Sequence, residues 1–213
     1  MDLSLAVRGF ILGCSVAAVV GPIALLCLRR TLTGGFLVGF LSGLGAATAD
    51  ASYAAIGGSG ISAAAALLVE QRLWLRLLGG LFLIHLAVRT LRAVPAQSAA
   101  VVPAAPGLQL LAAYTSTLAL TISNPMTILS FGAIFAGMGL GALGADSPMS
   151  ALLLVGGVFV GSTAWWLILA AVAARLRSAF TPRRLRLVNI GSGLLFLGFG
   201  VQAVAAAVFE AAA

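Results

Sequence analysis

The chain has 213 residues, of which 62% are hydrophobic and only 8% charged, with a mean hydropathy of +1.16. Soluble domains carry about 25% charged residues, so this composition excludes a water-soluble fold, and its long apolar runs predict membrane helices rather than barrel strands. The net charge is +7, and all 12 basic residues are arginines; they sit at the ends of apolar runs with no interleaved aromatics, which fits membrane topology and argues against nucleic acid as a partner.

Six apolar segments are predicted, at residues 5–28, 35–60, 73–91, 108–137, 150–174 and 185–209. Each is long enough to cross a hydrocarbon core of about 30 Å. The N-terminus does not read as a signal peptide, because Arg29-Arg30 follow the first apolar run instead of preceding it. Cys14 and Cys27 lie far apart on that first run, cannot bridge there, and read as buried thiols. Pro22, after Gly21, breaks the segment and is expected to free the carbonyl of Ala18.

In the second segment Gly43, Ala46 or Ala47, Asp50 and Tyr53 share a helical face. A carboxylate at that depth costs roughly 2.5 to 3.5 kcal/mol on insertion scales and normally faces a wet path or a partner. Asp50 is therefore the first functional candidate, as proton carrier, cation ligand or counter-charge to a substrate amine. Its purely structural alternative is an ion pair, for which Arg8 is the one basic residue in the same membrane half. The third segment holds the single histidine, His85, a weak candidate for a proton relay. An irregular linker at 93–107 follows, with Pro95, Pro103 and Pro106.

The fourth segment is the longest and is expected to tilt or break at Asn124-Pro125, which would free the carbonyl of Thr121. Thr117, Thr121 and Asn124 recur on one face, widened by Ser123, Thr127 and Ser130; for the threonines, bonding back to the helix is the stronger reading. Residues 139–148 form a Gly-rich loop containing Asp146. Gly157 and Gly161 in the fifth segment, like Gly35, Gly39 and Gly43 in the second, have small-residue packing spacing. Such seams can form within one chain or between copies, which leaves a homo-oligomer open. Trp165-Trp166 read as packing or interface aromatics before path-lining ones.

The two halves match in order. Gly80-Leu81-Phe82-Leu83 parallels Gly193-Leu194-Leu195-Phe196; Gly39 to Gly43 parallels Gly157 to Gly161; and Gly21-Pro22 parallels Asn124-Pro125. The predicted fold is an all-α integral membrane protein of six transmembrane helices. They form two inverted three-helix repeats, residues 1–92 and 108–213, joined by the cytoplasmic linker 93–107, with helices 1 and 4 broken. With both termini outside, nine arginines fall inside and three outside, as the positive-inside rule favours. A substrate site is expected near the midplane, where broken-helix carbonyls and N–H groups face each other.

These elements together resemble the LysE/RhtB family of bacterial amino-acid exporters over nearly the whole chain. The most specific stretches are Gly21-Pro22 through Arg29-Arg30 to Gly34, Ala49-Asp50 through Tyr53, Ser123-Asn124-Pro125 through Thr127, and Gly193 to Gly200. The resemblance implies a bacterial inner-membrane protein that exports amino acids or their derivatives, driven by the proton gradient. Carried over by position it marks Gly21, Pro22, Asp50, Asn124 and Pro125 as the site, to which the residues themselves add Tyr53 and Thr121. His85 and Ala87 depart from the family pattern, which bears on the substrate. The sequence offers no metal cage and no cofactor motif. An exporter of inorganic cations or another small metabolite is the alternative reading; the single internal carboxylate opposes the cations. A membrane-embedded enzyme or assembly factor is the third, opposed by the lack of a nucleophile–base pair.

Overall fold

The computed structural model describes residues 3–19, 21–58, 72–92, 106–124, 127, 130–131, 147–177 and 181–212. They form seven helices: α1 (Leu3–Ala17), α2 (Pro22–Gly34), α3 (Phe36–Gly58), α4 (Arg72–Arg92), α5 (Pro106–Ile122), α6 (Pro148–Leu176) and α7 (Pro182–Ala212). No strand occurs among the described residues. The expected linker 93–107 falls almost wholly outside them, as do most of the 139–148 loop and the fourth segment beyond Phe131.

Local chemistry sets the boundaries. Gly21 is extended, at φ −155° and ψ −168°, and Pro22 is the first residue of α2, where its missing N–H costs nothing. The first span is thus broken, as expected, but Pro22 starts a helix and does not kink one. α1 already ends at Ala17, so Ala18 lies in the break, and α1 and α2 meet at 80°. Between α2 and α3 the chain turns on Gly35 alone, at φ +93°, a conformation that glycine adopts without steric cost. At the start of α6, Ser147 caps the helix by accepting from the Ser150 N–H at 3.2 Å, with Pro148 next. Thr181 plays the same part for α7, accepting from the Arg184 N–H at 3.4 Å.

One expectation needs correction here. Arg29 and Arg30, read as a connecting loop, lie inside α2, which runs on to Gly34. They stay helical because other helices satisfy their guanidinium groups. Arg29 Nε donates to Asn189 Oδ1 of α7 at 2.9 Å. Arg30 Nη1 donates to Ser42 Oγ of α3 at 3.0 Å, and to the Ala113 carbonyl and Thr117 Oγ1 of α5 at 2.9 and 2.8 Å. Its Nη2 donates to Ser116 Oγ at 2.9 Å.

By length and apolarity alone, α6 and residues 183–210 of α7 qualify as membrane spans, and the bent pair α1–α2 makes a third. The other predicted spans are weaker for visible reasons. α3 is long, at 23 residues, but rich in glycine, alanine, serine and threonine. α4 carries Arg72, Arg76, Arg89 and Arg92. α5 stops at Ile122, before the Asn-Pro break. Leu81, Leu111, Leu152, Val160 and Leu194 are all more than half exposed, leaving an apolar outer surface suited to lipid.

The helices pack through glycines. The closest partners are α1 with α6, α4 with α7, and α3 with both α6 and α5, while α2 touches α3, α5, α6 and α7. A Cβ on Gly9 would lie 2.3 Å from the Leu154 carbonyl oxygen, and one on Gly157 2.3 Å from that of Ala6. The expected seams are therefore real contacts: Gly157 and Gly161 against α1, Gly39 against Thr31, and Gly43 against Trp166. The main core joins Leu26 and Cys27 of α2 to Ala46, Leu83, Leu120, Trp166 and Phe196, so the short broken helix sits at the centre.

Candidate functional site

The break before α2, the end of α5, the middle of α3 and one face of α6, α4 and α7 enclose a cavity of about 490 Å³. That is within the usual range for small-molecule sites, about 300–1,000 Å³. Of the expected residues, Gly21, Pro22, Asp50, Thr121 and Asn124 all line it. Pro125 lies outside the described residues. Gly21, Pro22 and Ile23 bring the N-terminus of α2 to the wall, where first-turn N–H groups lack helical partners and present partial positive charge.

Asp50 is only 2% exposed. Its Oδ2 accepts a hydrogen bond from Ser162 Oγ of α6 at 2.7 Å. This bond ties α3 to α6 where both meet the cavity. Among the described residues no arginine pairs with Asp50, and Arg8, the expected alternative, lies exposed on α1. A buried carboxylate held by one hydroxyl and facing a cavity can exchange a proton or meet a cationic group.

Tyr53 stands one turn on and serves a different contact. Its hydroxyl donates to the Ile122 carbonyl at 2.5 Å, satisfying an end carbonyl of α5, and its ring stacks on Phe131 with centroids 5.5 Å apart. It supports the wall without lining the cavity. Thr117, Thr121 and Asn124 do share a face, but they divide the work. Thr117 accepts from Arg30, and Thr121 Oγ1 donates back to the Thr117 carbonyl at 2.8 Å. Asn124 Nδ2 donates to Thr127 Oγ1 at 3.1 Å beside the cavity. The Thr121 carbonyl, expected to be freed, instead accepts the Asn124 N–H at 3.1 Å, because the chain closes a tighter turn once α5 has ended.

The cavity also holds residues that sequence reasoning valued differently. Trp166, read as packing, is 3% exposed and forms part of the wall. Arg76, counted only as an outer topological charge, lines the cavity, as do Gln202 and Phe199 of α7. His85 is exposed on α4 and takes no part in the lining. Cys27 is buried in the core, while the Cys14 thiol donates to the Gly161 carbonyl at 3.1 Å across the α1–α6 seam.

The family profile described as LysE type translocator matches residues 14–207. Among curated proteins the chain is similar to the chemotactic transduction protein ChpE of Pseudomonas aeruginosa, at 31% identity over 172 residues, which cover 80% of this chain and 83% of that protein. No solved structure matches it.

Proposed function

Because the chain belongs to the LysE type translocator family, we propose that it is a secondary exporter of amino acids or amino-acid derivatives, driven by proton exchange at Asp50. That it is a membrane translocator follows from the family and the apolar helices; substrate and coupling are our reading. One observation carries it. The deeply buried carboxylate of the described helices sits in the wall of a cavity built from two helix breaks and the helices between them. Gly21, Pro22, Asp50, Thr121 and Asn124 form the working surface, with Tyr53 holding α3 to α5.

The helix pairing supports the inverted-repeat plan of residues 1–92 and 108–213. If the first span (α1–α2), α3 and α4 correspond to α5, α6 and α7, the packing of α1 on α6 becomes that of α5 on α3, and both pairs are observed. The pairings α3 with α6 and α4 with α7 map onto themselves. The match of Gly80 with Gly193 carries through at residue level. Gly80 lies against the Gly200 carbonyl, and Gly193 lies against Leu91 and the Ala87 carbonyl, the positions corresponding to that contact. Units of three spans related in this way run in opposite senses through the membrane.

The positive-inside count, with termini outside, puts the Arg29 and Arg30 network at the inner end. The cavity extends the other way, towards Arg76 near the start of α4 and Gln202, Ala203 and Ala206 late in α7. This arrangement fits an outward-facing state closed inside by arginines. The bacterial inner membrane is the matching location, and the proton gradient across it the matching energy source.

Reconstitution tests the proposal. Liposomes loaded with labelled amino acids, with and without an imposed pH gradient, should show gradient-dependent movement of at least one class. Movement indifferent to the gradient would remove the proton from the mechanism; absence of movement with folded protein would remove the amino acid.

A further inference from the structure

The cavity carries two ionisable side chains of opposite sign among its described lining, Asp50 and Arg76. They differ in depth. Asp50 is 2% exposed, whereas the Arg76 side chain is 25% exposed, at the rim. Arg76 is also held in place. Its Nη1 donates to Glu210 Oε2 at 2.7 Å, from the last turns of α7. That contact uses one of five guanidinium N–H donors. Nε and Nη2 make no hydrogen bond with any described residue. A guanidinium fork with free donors, pinned at the rim of a cavity, matches the planar two-oxygen geometry of a carboxylate.

We propose that Arg76 is the carboxylate anchor of this site, so that the cavity selects substrates bearing a free carboxylate. Glu210 offsets the charge of the fork while the site is empty and is not itself needed for the choice of substrate. This inference rests on the transport reading above and narrows it to zwitterions with an unblocked carboxyl group.

The test uses full-length protein in liposomes and each transported amino acid beside its carboxamide, which keeps the amine and side chain but removes the anionic group. Wild type should prefer the acid by about tenfold or more, the scale of one charge-assisted hydrogen-bonded pair. Arg76→Gln should erase that preference by raising KM for the acid while leaving the amide unchanged. Arg76→Lys should restore part of it. Glu210→Gln breaks the same ion pair but keeps the fork, so it should retain the preference. The anchor is overturned if Arg76→Gln keeps the full preference, or if Glu210→Gln loses it equally, which would make the ion pair structural. Wild type that carries amides as well as acids contradicts it without any variant. Wild type that carries neither overturns the transport reading itself, a distinct outcome.

Discussion

At the residue scale, hydrogen bonds decide which polar groups serve the cavity and which serve the scaffold. Tyr53 and Asp50 are neighbours on one helical face, yet Tyr53 is spent on the Ile122 carbonyl and Asp50 on Ser162. Tyr53→Phe should therefore cost about 1 kcal/mol of stability, seen as a lower thermal midpoint, with KM for substrate unchanged. Ser162→Ala removes the only hydroxyl bonded to Asp50 among the described residues, so its signature should be a shifted pH profile of transport and not a loss of protein. Asp50 was legible in the sequence because a carboxylate amid Gly, Ala and Leu is costly wherever it points. Ser162 and Arg76 were not, because their meaning lies in contacts 112 and 134 residues away in the chain. A buried serine looks like any helix-bonding hydroxyl, and an arginine at a span end looks like a topology signal until a cavity is seen beside it.

At the element scale, the helices are set by breaks and by glycines. Gly21-Pro22 announced the first break, since proline fixes φ and cannot donate, but the fate of Arg29 and Arg30 depended on acceptors supplied by α3, α5 and α7. Small-residue spacing pointed to the seams, though not to which helix would fill each one. α6 offers a built-in control. A Cβ at Gly157 meets α1 backbone, whereas at Gly156 it meets nothing within 4 Å. Gly157→Val should lower the thermal midpoint sharply and release α1 from α6, while Gly156→Val should leave the protein near wild type. The Arg30 network joins three helices at one end of the cavity. Arg30→Ala should weaken that closure, raising labelling of a cysteine placed at Ser42 in a background lacking Cys14 and Cys27.

At the scale of the whole molecule, the arginine count and the direction in which the cavity extends agree with the proposed orientation. In the proposed orientation the arginine-rich end is closed and faces inside, and the Arg76–Glu210 end is open and faces outside. A cysteine at Ala203, in the same cysteine-free background, should react with a membrane-impermeant maleimide added to the outer face of intact cells; one at Ser42 should not. The reverse pattern would invert the topology. The proposed plan of two halves could be glimpsed in Gly80 and Gly193, and the packing of Gly193 on Ala87 supports it at a position where the two halves differ. The central claim, that Asp50 couples the proton gradient to substrate movement, is tested most directly by Asp50→Asn in liposomes. Two rates are measured on the same preparation: gradient-driven accumulation, and exchange of labelled for unlabelled substrate without a gradient. Loss of accumulation with exchange retained is the expected result, since asparagine preserves the shape and the Ser162 contact but carries no exchangeable charge. Accumulation at the wild-type rate in Asp50→Asn would contradict it.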